Sequence, residues 1–386
     1  MRLAFLLYQY LPHCGMQRDF RRFVEELGQR GHQCRVYCTS WQDELIAGME
    51  LRRVPATALG RHRRHQRYFK WVQADLVRDP VDGVIGFTKM PGLDVYFAAE
   101  PCYLDKALRE RGPLYRRSAR FRHFANMELA VFAPTSTTDI LLTAEAQGEL
   151  FEQHYHTPIK RMHLLSPGVA PDRRAPEDAP RQRRAVRASL TLEPQELALL
   201  FVGSEFSTKG LDRAITALAH VSEAQPSVKS RLLVVGQDKQ RHFKRLARQL
   251  GISEKVEFLG GRDDITELML GADVLVHPAL TEAVGTVLLE ALVAGLPVVA
   301  TDVCGYAHHV KAARAGILLP APFSQEQLDR AVMRNIDGVF RAECRRSALQ
   351  YARLTDLYSM HRLGADLIEN LVGRKRKVVG AGTAIG

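Results

Sequence analysis

The 386-residue chain reads as an α/β protein built from two doubly wound units in tandem. Three observations lead there. Short runs rich in β-branched and apolar residues alternate with longer amphipathic stretches, the pattern of parallel strands joined by helices. The alternation pauses at a Pro/Arg-rich stretch, 171–187, and then restarts with greater regularity. At about 100–200 residues per domain, the length accommodates two such units, each able to bury its own core.

In the first half, strands are expected at 3–8, 35–40, 83–87, 95–100, 140–145 and 162–168, and helices at 18–30, 64–78, 114–132 and 146–155. The run LAFLLY at 3–8 is short and is followed by Gln9, so it reads as a buried first strand rather than the apolar core of a signal peptide. Residues 171–187 hold three prolines and six arginines without apolar periodicity, which predicts a linker or hinge. Beyond it, strands are expected at LALLFVG (197–203), RLLVVG (231–236), VEFLG (256–260), DVLVHP (273–278), LPVVATDV (296–303) and GILLP (316–320). Ligands of open parallel sheets sit beyond the carboxyl ends of the strands, so two facing units would enclose a cleft.

Charge and cysteines narrow the class. The formal net charge is +11, split almost evenly between the halves, but it clusters locally: Arg61, Arg63, Arg64, Arg67 and Lys70 form one group, and residues 106–122 form another. On a helix over 114–132, Leu114, Ser118, Phe121 and Ala125 would make one stripe with Arg116 and Arg120 opposite, a face suited to an anionic bilayer or a phosphorylated acceptor. The six cysteines form no CxxC pair, which argues against a zinc site or a secreted disulfide framework and predicts a cytoplasmic protein. With no apolar run near the roughly 18–20 residues that span a bilayer, membrane contact is expected to be peripheral.

The common nucleotide fingerprints are missing. No GxGxxG follows a predicted strand. GSEFSTKG (203–210) resembles a phosphate loop, yet Thr208 replaces the second glycine and Gly210 the magnesium-binding hydroxyl. HExxH, GxSxG and the kinase motifs are absent. The informative stretch is 273–305, DVLVHPALTEAVGTVLLEALVAGLPVVATDVCG. A strand ends at His277-Pro278, Glu282 lies in the following loop, and a helix starts near Gly285. The unpaired amides of Gly285, Thr286 and Val287 at that helix start suit a diphosphate. Glu282 could then accept from hydroxyls of an attached group, and Glu290, about 80° further round the helix, from both hydroxyls of a ribose.

This order of strand, HP, loop glutamate, glycine-led helix, second glutamate and GLPVVATDVCG resembles the donor site of family 4 of the retaining glycosyltransferases. Loops outside it, LPHCGMQRDF (11–20), GFTKMPGLDVYFAAEPCY (86–103), HLLSPGVAPDRR (163–174), VVGQDK (234–239) and VCGYAHH (303–309), are similar to members that add glucose to heptose in the lipopolysaccharide core. The resemblance implies a GT-B fold, with an acceptor-binding domain at 1–168, a nucleotide-sugar domain at 169–356, a helix at 357–373 packing back on the first domain, and a disordered basic tail at 374–386. It implies retaining, metal-independent transfer of glucose from UDP-glucose, as substrate rather than cofactor, to a heptose of the inner-core glycolipid. An anionic membrane surface is a further expected partner, and nucleic acid is not.

The resemblance also assigns roles. Gly15 would let a loop approach the donor diphosphate, Asp19 would face the sugar, and Lys209 with Arg173 would neutralise the leaving diphosphate, Arg174 being the fallback. Ser204 stands where many members carry an arginine, and Glu100 stands where an aspartate is expected near the anomeric carbon. The competing readings are a related transferase with another UDP-sugar or glycan acceptor, a nucleotide-sugar binder without turnover, and a basic nucleic-acid-binding protein, which would lack every familiar signature of that class.

Overall fold

A computed structural model describes residues 1–10 and 15–383, with side chains through 376. Leu11–Cys14, part of the first resembling loop, lie outside the described residues. The chain divides into two compact units, Met1–Pro167 with Ser359–Gly386, and Gly168–Tyr358.

In the first unit the elements run β1 (Arg2–Leu6), α1 (Gly15–Gln29), β2 (Gln33–Cys38), β3 (Met49–Arg53), α2 (Arg61–Arg78), β4 (Gly83–Gly86) and β5 (Val95–Ala98). There follow α3 (Tyr103–Glu110), α4 (Pro113–Arg116), α5 (Ala119–Phe132), β6 (Asp139–Leu142), α6 (Glu145–Tyr155) and β7 (Met162–Leu164). The second unit holds α7 (Ala179–Ser189), β8 (Leu197–Val202), α8 (Leu211–Ala224), β9 (Ser230–Val235), α9 (Arg241–Gln249), β10 (Val256–Gly260) and α10 (Ile265–Gly271). It continues with β11 (Val274–His277), α11 (Thr286–Ala294), β12 (Val298–Thr301), α12 (Ala307–Ala313), β13 (Gly316–Leu319), α13 (Gln325–Arg334) and α14 (Gly338–Leu354). The last helix, α15 (Met360–Thr383), returns to the first unit.

Both sheets are parallel, in the orders β3-β2-β1-β4-β5-β6-β7 and β10-β9-β8-β11-β12-β13. The α/β, doubly wound architecture expected from the sequence is therefore present twice. Side chains alternate across each sheet, so Leu3 and Phe5 of β1 join the cluster under α1 and α15, while Ala4 and Leu6 join the one under α2 and α5. Each sheet reverses its strand order at one place, between β1 and β4 and between β8 and β11. In open α/β sheets such a reversal splays the neighbouring loops and opens a crevice at the carboxyl ends.

Several expectations change. Residues 171–187 are not a bare linker: 179–189 form α7, whose Arg183 and Arg187 reach Asp273 at 2.6 and 3.2 Å. The single helix expected over 114–132 breaks at Arg117, and Ser118 caps α5 by accepting the Phe121 amide at 3.1 Å. Leu114, expected in an apolar stripe, is 80% exposed, and α5 buries Glu128, Val131 and Phe132 instead. Strand β3 was not legible, because MELRR is a polar edge strand without clear alternation. Helix continues through Thr383, where a disordered tail was expected, and Lys375 Nζ donates to the carbonyls of Asp94 and Thr137, both at 2.7 Å. Among the described cysteines, Cys34, Cys38, Cys102, Cys304 and Cys344 are free and buried.

Candidate active site

The chemistry-bearing residues of the second unit gather at the carboxyl ends of β8 and β11, where that sheet reverses. β8 is apolar along its length and delivers the loop 203–210, in which Phe206 is fully buried and donates its amide to Asp238 Oδ2 at 2.8 Å. With Phe206 anchored, the loop turns back and Lys209 emerges at its end. Gly210 has φ +76°, and a Cβ there would lie 2.1 Å from the Pro278 carbonyl oxygen. Only glycine allows the two loops this approach. The Leu280 amide donates to the Thr208 carbonyl at 2.9 Å, and Arg213 donates to the Pro278 carbonyl at 3.0 Å, so the two strand-end loops are laced together.

This lacing joins Lys209 to Glu282. Lys209 Nζ donates to Glu282 Oε2, and His277 Nε2 stands 3.3 Å from the same oxygen. Glu282 is held from behind: its carbonyl accepts the Gly305 amide at 3.3 Å, and it forms a bridge with Cys304. Burial opposes ionisation of Glu282, but the His277 hydrogen bond and the Lys209 charge outweigh it and hold the carboxyl down to about 2. The Cys304 thiol is pushed up to about 12 by burial and by the Glu282 charge, which makes it a poor nucleophile.

Gly285 begins α11 in a left-handed conformation, φ +81°, with no side chain capping the first turn. A Cβ there would press on Cys304 Cβ and Glu282 Cγ, each at 3.3 Å. The amides of Thr286 and Val287 thus start a helix immediately after the Glu282 loop. Their orientation follows from helix geometry and favours an anion at that end. Residues Leu288–Ala294 of α11 are all buried, Glu290 included, so one carboxylate is embedded in an otherwise apolar helix.

The remaining predicted residues fall elsewhere. Arg173 ends a short 3-10 turn and bonds Thr266 Oγ1 at 3.2 Å and the Asp263 carbonyl at 3.4 Å, while Arg174 stacks 3.9 Å above the Tyr358 ring. Neither is joined to Lys209 or Glu282 by a hydrogen bond or ion pair among the described residues. In the first unit, Gly15 opens α1 with free space where a Cβ would go. Asp19, expected to face a sugar, is buried, with Oδ1 3.0 Å from His361 Nε2 on α15. Glu100 lies two residues beyond β5, half-buried, and makes no hydrogen bond or ion pair among the described residues.

Two features escaped the sequence reading. His277 was seen only as part of an HP pair closing a strand, yet it is 1% exposed and shares the Glu282 oxygen with Lys209. Glu128 is fully buried on α5 and accepts from Lys89 at 2.6 Å, Tyr155 at 2.5 Å, and the amides of Tyr103 and Leu104 at 2.7 and 2.8 Å. That network pins the start of α3 to α5.

Comparison with known proteins decides the family. Residues 182–353 match the family "Glycosyl transferases group 1". The chain is 44% identical over 369 residues, 95% of its length and 98% of the relative's, to the lipopolysaccharide glucosyltransferase WaaG of Escherichia coli K12. The chain belongs to the group 1 glycosyltransferases. The crystal structure of WaaG, a glycosyltransferase involved in lipopolysaccharide biosynthesis, superposes with a TM-score of 0.92 at 44% identity, covering 95% of this chain and 99% of that one. A more distant structure, Alr3699/HepE of Anabaena in complex with UDP-glucose, shares the fold at 18% identity with a TM-score of 0.74 over 96% and 100% of the two chains. The GT-B class expected from the sequence holds, and in this glycosyltransferase Lys209, Glu282, Gly285 and Glu290 all lie within the segment that matches the family.

Proposed function

We propose that this group 1 glycosyltransferase moves glucose from UDP-glucose to a heptose of the lipopolysaccharide inner core, with retention of configuration and without a metal. The observation that carries the site assignment is the Lys209–Glu282–His277 group at the sheet reversal, next to the first turn of α11. The 44% identity with the E. coli lipopolysaccharide glucosyltransferase along nearly both full lengths supports the donor and acceptor classes.

The diphosphate rests on the amides of Gly285, Thr286 and Val287, and the ribose hydroxyls donate to Glu290. Lys209 has three donors, so it keeps Glu282 while giving another hydrogen bond to the phosphate as negative charge develops on the leaving group. Glu282, ionised through the working pH range, accepts from glucose hydroxyls. The acceptor hydroxyl attacks the face that UDP leaves, and the departing phosphate oxygen takes its proton, so no carboxylate nucleophile is needed. Arg173 and Glu100 are secondary candidates, the first for the diphosphate and the second for the anomeric region. The protein works at the cytoplasmic side, with peripheral contact between its basic first unit and the anionic membrane that carries the glycolipid. Among the described residues no helix is long and apolar enough to cross a membrane.

A donor screen on purified heptose-containing core acceptor tests this reading. UDP release with UDP-glucose, undiminished by a chelator and well above that with UDP-galactose or the N-acetylated sugars, is expected. Release that prefers another donor, or that ignores the acceptor, would replace it.

A further inference from the structure

Two adjoining grooves of the first unit, of 460 and 470 Å³, share Arg63 and Gln66: the first lies between α2 and the segment before it, the second between the packed helices α2 and α5. One runs along α2 past Arg67 and Lys70; the other crosses to Arg122 and His123 on α5. Arg63, Arg67 and Lys70 follow the i, i+4, i+7 spacing of one helical face, while His65, Tyr68, Val72 and Asp75 on the other face are buried. The division of α2 into a buried face and a cationic face is thus written into its sequence.

Neither groove is lined by a carboxylate. Arg63, Lys70 and Arg122 form no ion pair among the described residues, and Arg67 donates only to the Thr57 carbonyl. Elsewhere in the same unit arginines are neutralised: Arg30 meets Glu26, Asp366 and Glu369, and Arg35 meets Glu50 and Asp79. Four cations held together without counter-charge repel one another, and such a surface attracts an anion from outside the chain.

His123, which lines the second groove, links this surface to the sheet through His65 on the buried face of α2. His65 Nδ1 lies 3.0 Å from His123 Nε2, and the His65 ring stacks on Tyr8 with centroids 5.5 Å apart. Tyr8 follows β1, and its amide donates to Thr88 Oγ1, after β4, at 3.0 Å. The second groove is thus connected, through His123 and His65, to the loops that follow β1 and β4, where a ligand of this unit is expected. Burial, with the nearby His123 and Arg61 charges, holds His65 at about 3, so this link is neutral and the arginines and Lys70 carry the charge.

We infer that the α2–α5 grooves bind phosphoryl groups of the glycolipid acceptor, holding it by an anionic part remote from the reacting hydroxyl. This rests on the glycolipid-acceptor reading above. Arginine suits the task because its planar fork gives two parallel hydrogen bonds to a phosphate. Leu59 beside the first groove is 87% exposed and offers an apolar contact to the same molecule.

The test is equilibrium binding of core glycolipid dispersed in detergent, either phosphorylated or stripped of phosphate with hydrofluoric acid, to the wild type, to the double variant Arg63→Ser/Arg122→Ser, and to Arg63→Lys/Arg122→Lys. The serine variant should bind phosphorylated glycolipid about 10- to 100-fold more weakly, as loss of two charge-assisted contacts implies. The lysine variant should recover much of that loss, and the stripped glycolipid should bind wild type and variants alike. Equal affinities of wild type and serine variant for the phosphorylated glycolipid, or an equal loss on both glycolipids, would overturn the inference. So would loss of sedimentation with phosphatidylglycerol vesicles at unchanged glycolipid affinity, which would make the grooves a bilayer contact. Glucose transfer is read separately: its absence in wild type removes the proposed function while the binding series still decides the grooves.

Discussion

In the second unit, Lys209 meets Glu282 and Arg213 meets the Pro278 carbonyl beyond the carboxyl ends of β8 and β11, and Arg183 and Arg187 converge on Asp273 at the opposite, amino end of β11. On the outer face of α2 in the first unit, Arg63 and Lys70 have no such partner among the described residues. Both regions are basic in sequence, yet one is electrically closed and the other open. A closed cation is held by a partner in its own unit, and removing it leaves a buried charge behind. An open one costs the fold little and is available to a ligand. Charge counting cannot tell these apart, since it does not see which carboxylate the fold brings alongside.

Disrupting the closed side should give the largest effects. Asp273→Ala strips the buried partner from Arg183 and Arg187 and removes the acceptor for the Ala198 amide, so it should cost about 3–5 kcal/mol in denaturant unfolding. A loss below about 1 kcal/mol would mean that α7 is not held this way. Lys209→Ala should lower kcat/KM for UDP-glucose by about 10²–10³-fold, the loss typical of removing one preorganised electrostatic donor. Near-wild-type turnover in both Lys209→Ala and Glu290→Ala would remove the donor site from this loop and helix.

A smaller effect belongs to His65, on the buried face of α2. His65 takes its proton near 6.5 in the unfolded chain but only at about 3 when folded, so between those values the unfolded state holds more protons. Its contribution is complete above 6.5 and declines as pH falls toward 3, by about 1.4 kcal/mol per pH unit. Melting at pH 7, 6 and 5 should show a shallower acid loss in His65→Gln than in wild type, and parallel curves would exclude His65 from the response. Glu282 acts in a lower window, contributing stability above its ordinary carboxylate value that is lost as pH falls toward about 2. The smallest expected effect belongs to the open cations: Arg63→Ser should shift unfolding by no more than about 0.5 kcal/mol, as exposed sites without partners do. A loss above 2 kcal/mol would show that α2 is closed after all.

The sequence was most legible where a feature is local. The β8 and β11 runs, the HP pair, the glycine before α11 and the two glutamates eight residues apart are each set within a few residues, and all appear where periodicity and spacing put them. It was least legible where a partner lies far along the chain. Asp19 could be picked out as a candidate site carboxylate, but its pairing with His361, 342 residues away, could not. Residues 171–187 read as a linker or hinge, because the pairing of Arg183 and Arg187 with Asp273 spans some ninety residues. The helix over 114–132 misled differently: its apolar spacing was real, but a capping serine divides it and the core is met from the Glu128 side.

By itself the sequence determined two doubly wound sheets, because alternating apolar runs can bury both faces of a parallel strand only between helices. It also determined a glycine-led helix start in the second unit. The tertiary structure alone decided which charges find a partner inside the protein and which do not. Lys209 was paired with Glu282 across 73 residues and Asp19 with His361, while the α2 face was left without a carboxylate. The reason is physical: secondary structure follows from short-range sterics and the periodicity of apolar residues. Electrostatic pairing instead needs two groups within about 4 Å, a distance that only the completed packing of remote segments sets.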